Sequence, residues 1–145
     1  MNTVEHDIDQ LNSFLRGELA AVETYNQAME KLTSPRMATE FAELQHSHRR
    51  RAQKLSERIR AMGGEPAETS GMWGSFAKLV EGGAKVFGES AAIAALEEGE
   101  DHGRDDYRSD IDELTPATRA FITKEIVPEQ ELTHQILSGL KRASS

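Results

Sequence analysis

The chain has 145 residues, with 17 Lys and Arg against 25 Asp and Glu, a net charge of −8 and no cysteine. That length suits one domain with its own core. Acidic balance argues against sequence-independent nucleic-acid binding, and the lack of cysteine excludes disulfides, thiol catalysis and cysteine-ligated metal.

The opening residues, M-N-T-V-E-H-D-I-D, have no positive region followed by an apolar stretch. No segment approaches the roughly 20 apolar residues of a membrane span. A soluble, cytoplasmic protein is expected. Apolar residues recur at helical spacing from about Val4 to Leu32, with Leu11, Phe14, Leu15, Val22, Tyr25 and Met29 on one face. A Thr33-Ser34-Pro35 turn follows, Ser34 being a suitable N-cap and Pro35 a suitable first helical residue. The second helix runs to Met62 and ends at Gly63-Gly64-Glu65-Pro66. Its basic run, Arg49-Arg50-Arg51, reads as a solvated helix face.

From about 63 to 90 the chain is a crossover rich in Gly, Ser and Ala. It holds Trp73, Phe76, Leu79, Val80, Val86 and Phe87, and a short amphipathic helix is expected within it. The third helix spans about Ala91 to Leu114, Thr115-Pro116 repeats the cap-plus-proline device, and the fourth runs from about Ala117 to Lys141. Pro128 removes one backbone bond there and should kink the helix. No run alternates with period two. The expectation is an all-α fold, one domain over 1–145, built as a four-helix bundle of two hairpins joined by the long crossover.

Two carboxylates fall inside that bundle. Glu18 sits mid-stripe among Phe14, Leu15, Val22 and Tyr25, and Glu100 sits among Ile93, Leu96, Tyr107 and Ile111. A charge in a core centre costs several kcal/mol unless paired or metal-bound. Gly17-Glu18 precedes Tyr25 by the same interval as Gly99-Glu100 precedes Tyr107, so the hairpins read as copies about a pseudo-twofold axis. Both glutamates should then share one level.

Histidine supplies the further candidates. Two Glu-x-x-His spacings occur, at Glu43/His46 and Glu131/His134. The stripe Phe41, Leu44, Ala52, Leu55, Ile59 includes His48 and turns Glu43 and His46 to solvent, so Gln45-x-x-His48 is the inward pair. In the fourth helix His134 can point inward beside Leu137, with Glu131 at the stripe's edge and Glu97 one turn before Glu100. His6 and His102 carry no signal.

The stretch L-N-S-F-L-R-G-E-L-A-A-V-E-T-Y resembles the first helix of bacterioferritins, and so the ferritin-like superfamily. The whole chain is similar to a bacterial family of ferritin-like four-helix proteins without an assigned activity. That likeness rests on the Gly63-Gly64-Glu65-Pro66 exit, Ser70-Gly71-Met72-Trp73-Gly74, L-E-E-G-E-D-H and the final helix with His134. The resemblance implies a ferritin-like fold with metal ligands on Glu18, His48, Glu100, Glu131 and His134. Gln45 stands where the superfamily has a second-helix glutamate.

The leading expectation is a non-haem di-metal protein, with iron or manganese, handling iron, oxygen or peroxide under stress. Glutamates would bridge, histidines would be terminal, and Tyr25 and Tyr107 would hold the carboxylates. Three inward carboxylates do not balance two divalent ions, so fewer than two tightly held ions are expected. Besides the metal ion, the expected partner is a second copy in a homo-oligomer such as a dimer. No catalytic residue is assigned. The alternative is a metal-free structural or interaction bundle that uses the crossover as its partner surface.

Overall fold

A computed structural model describes residues 3–30, 32, 34–70 and 89–144. Helix α1 is Val4–Glu30, α2 is Pro35–Ala61 and α3 is Glu89–Asp110. A 3-10 turn, Ile111–Glu113, leads to α4, Pro116–Phe121. The backbone stays helical through a π turn, Ile122–Ile126, into α5, Val127–Ser144, so α4 and α5 form one rod. The expected four helices are present, and the described residues contain no strand. The crossover residues expected to form a short helix, Trp73, Phe76 and Val86 among them, lie outside the described residues. No described helix is long and apolar enough to cross a membrane.

The punctuation works as its residue types require. Ser34 is extended, its hydroxyl accepts from the Met37 N–H at 3.3 Å, and Pro35 opens α2. At the other end Gly63 takes φ +86°, which favours glycine, and the Gly64 N–H closes on the Ile59 carbonyl at 2.9 Å. A Cβ on Gly64 would lie 2.7 Å from Ile8 Cγ2, so only glycine lets this exit press against α1.

The start of α4 is capped from a distance. The Thr115 side chain makes no capping bond of its own. Instead Asp7 of α1 accepts from the Thr115 N–H at 3.0 Å and from its hydroxyl. Asp7→Ala should therefore cost about 1–2 kcal/mol in urea unfolding. A loss below about 0.5 kcal/mol would mean that solvent replaces the cap.

Two apolar layers enclose a polar one. Leu11, Leu15, Leu55, Ile59, Ile122 and Ile126 belong to the first layer, and Tyr25, Phe41, Leu44, Ile93, Leu96 and Leu137 to the second. Along α1 and the α4–α5 rod the chain passes from first layer to second, and along α2 and α3 from second to first. Helix α2 therefore ends, and α3 begins, at opposite ends of the bundle. Helices α1 with α2, and α3 with α5, pack closely, whereas α2 and α5 touch sparsely.

Just before Pro128, where a kink is expected, the helix widens into the π turn. Proline has no N–H for the Lys124 carbonyl, and the Val127 N–H reaches back five residues to Ile122. A π turn holds one extra residue, so everything after it is rotated by about one position.

Candidate functional site

The polar layer between the two apolar ones consists of Glu18, His48, Arg51, Glu100, Gln130 and Thr133, all buried. Helix α1 brings Glu18 in on the stripe of Leu11, Phe14 and Tyr25, and α3 brings Glu100 below Ile93 and Leu96. His48 of α2 lies between the two carboxylates. Its Nδ1 is 3.2 Å from Glu18 Oε1 and its Nε2 is 2.7 Å from Glu100 Oε2. An ionised carboxylate only accepts, so both ring nitrogens must donate and the ring is an imidazolium. Burial and the Arg51 charge oppose that state, but Glu100 and Glu18 outweigh them and raise the His48 pKa above its usual 6.5.

Arg51 completes the cluster. It is 0% exposed, with Nε 2.8 Å from Glu18 Oε2 and Nη2 donating to Thr133 Oγ1 at 3.2 Å. Nη2 also lies 2.7 and 2.9 Å from the two His48 ring nitrogens. The in-plane lone-pair directions of those nitrogens diverge, so this is a guanidinium laid on the ring face rather than two hydrogen bonds. On the Glu100 side, Tyr25 donates to Oε2 at 2.8 Å and Thr133 to Oε1 at 2.9 Å. Burial alone would raise the Glu100 pKa. His48, Arg51 and the Tyr25 hydrogen bond reverse that and bring it down to about 2. Two negative and two positive charges thus cancel within one layer.

Arg51, expected on a solvated helix face with Arg49 and Arg50, is buried instead. Arg49 and Arg50 are exposed, while Arg51 shares the inward stripe with Leu44, His48 and Leu55. That spacing of four, three and four was the signal available in the sequence.

Of the five expected ligands, the structure brings together Glu18, His48 and Glu100. It does not bring Glu131 or His134 to them. Glu131 is exposed, and His134 makes a close contact with Asp101 beside Arg104 on the α3–α5 surface. Gln130 and Thr133 face inward in their stead, at ordinary helical spacing between the buried Ile126 and Leu137. Glu97 also stays outside, its Oε1 2.8 Å from Lys141 Nζ. Gln45 is buried but turned to α1, donating to Asn26 Oδ1 at 2.7 Å and the Val22 carbonyl at 2.9 Å. Glu43 and His46 are exposed, as expected.

A bundle di-metal site takes one glutamate from each of two helices and a Glu-x-x-His pair from each of the other two. Here the inward pairs are Gln45-x-x-His48 and Gln130-x-x-Thr133, which supply one ligand of four. Glu18, His48 and Glu100 converge on one another, and the Arg51 cation lies among them. Among the described residues no group of three or more His, Asp and Glu side chains is arranged to hold a metal ion. The donor set does not fit a di-metal centre.

The pseudo-twofold likewise holds in position and fails in bonding. Tyr25 reaches across to Glu100, but the Tyr107 hydroxyl, its counterpart, has no hydrogen-bond partner, and Glu18 pairs with Arg51. Beside the cluster a cavity of about 50 Å³, lined by Gly17, Glu18, Gly99, Glu100 and Tyr107, has room for a few waters.

Residues 6–113 match the family model described as Domain of unknown function (DUF2383), a span reaching from α1 through α3. No curated protein and no solved structure matches the chain.

Proposed function

We propose that this chain, which belongs to the DUF2383 family, is a ferritin-like bundle without a metal centre that acts through its surface. The observation supporting this most directly is the self-neutralised layer of Glu18, Glu100, His48 and Arg51 where a di-metal protein has its donors. Adding a divalent ion would place two more positive charges in a layer already balanced, and uncompensated charge in a low dielectric is costly. The hairpin pair with α2 parallel to α3 supports the ferritin-like topology.

A second reading, one iron or manganese ion, is favoured by the convergence of Glu18, His48 and Glu100. It requires His48 to lose a proton and Arg51 to be displaced.

Anaerobic calorimetric titration of the purified protein with ferrous and with manganous ion separates the two. The expected result is no site tighter than about 1 µM. A tight site that disappears in His48→Ala would support the metal reading and overturn ours.

A further inference from the structure

The seam between α2 and α5 is closed at one end and open at the other. Glu129 closes it, accepting from Ser47 Oγ at 3.3 Å and pairing with Arg50 at 2.9 Å and Lys54 at 3.2 Å. Past that latch the helices part, leaving a groove of about 570 Å³. Its floor includes the buried Leu44, and its α5 wall carries Leu132, 56% exposed, and Ile136, 38% exposed. These are two of the three exposed large apolar residues among the described ones, and they stand one helical turn apart.

Charge distinguishes the two walls. On α2 the groove is edged by Glu40, Glu43, His46 and Arg50; Arg50 is held by Glu129, whereas neither glutamate has a salt bridge to a described residue. The α5 wall contributes Leu132, Thr133 and Ile136 and no charge. From 39 to 50 the α2 edge runs about 16 Å, or three helical turns.

We infer that this groove docks an amphipathic helix of a partner protein, apolar on the face toward Leu132 and Ile136 and basic along the edge beside Glu40 and Glu43. A helix lying in such a groove anchors with residues at i and i+4. The matching pair here is Leu132 and Ile136. Opposite charge beside Glu40 and Glu43 fixes which way round the helix lies, since the α5 edge offers no acidic partner. The inference rests on the surface-acting function proposed above and names its site.

The probe is a synthetic helix of about 18 residues, with leucines in one stripe and lysines along one flank only. A scrambled peptide of the same composition but without the stripe is the control. Fluorescence anisotropy should show saturable one-to-one binding of the striped peptide alone. Leu132→Ser/Ile136→Ser should weaken it about tenfold or more, with unchanged circular dichroism because both positions are exposed. Glu40→Gln/Glu43→Gln should weaken it severalfold and flatten its salt dependence.

Equal binding of the scrambled peptide, or wild-type affinity in the serine variant, would overturn the inference. So would a wild-type dimer that Leu132→Ser/Ile136→Ser dissociates, since the occupant would then be a second copy. Neither result touches the metal titration, so failure of the groove and failure of the metal-free reading are distinguishable.

Discussion

Arg51→Met is expected to lower the free energy of unfolding by about 3–5 kcal/mol. The change leaves Glu18 and Glu100 with only His48 between them, in a layer where all three are at least nine-tenths buried. Removing one member of a buried ion cluster is costly because the others stay behind uncompensated. Glu18→Gln added to Arg51→Met should return part of the loss, because it removes the charge left unpaired. Arg50→Met is the control one position away. Its side chain is 48% exposed and pairs with Glu129, so it should change stability by less than about 1 kcal/mol. Urea unfolding of the four proteins decides the matter. Equal effects at 50 and 51 would place the Arg51 guanidinium in solvent and remove the basis for charge balance.

Stability should peak between about pH 4.5 and pH 6.5 and fall on both sides. Glu100 has its folded pKa depressed to about 2 from a usual 4.5. Its contribution is therefore complete above pH 4.5 and lost as pH falls toward 2, about 3 kcal/mol in all. His48 has its pKa raised above 6.5. Its contribution is complete below pH 6.5 and lost as pH rises through the folded value. The groups facing His48 are Glu18 and Tyr25 from α1, Arg51 from α2 and Glu100 from α3. Unfolding free energies measured from pH 2 to 9 should give the plateau. His48→Gln should flatten the alkaline limb and Glu100→Gln the acid limb. Unchanged limbs in both variants would show that neither group is linked to folding.

Much of this molecule is written in local chemistry. Ser34-Pro35 and Gly63-Gly64 set helix boundaries because capping and φ > 0 depend on a few consecutive residues. The convergence of Glu18, His48 and Glu100 was legible for a related reason. Each occupies the centre of an apolar stripe on an uninterrupted helix, and the helical period carries that phase reliably over several turns.

One feature of the site depended on more than residue type or a constant period. Arg51 lies on the α2 stripe, yet arginine is solvated unless other helices supply compensating charge, and Glu18 and Glu100 are far away in sequence. Gln130 and Thr133, by contrast, keep the ordinary helical spacing from Ile126 to Leu137, which leaves Glu131 and His134 off the stripe. Pro128 announces a disturbed helix but not the π turn that precedes it. The sequence by itself determined four helices and an acidic pair at their centre. Only the tertiary structure decided that the pair is neutralised by a histidine and an arginine, because charge balance in a low-dielectric layer is set by groups that folding alone brings together.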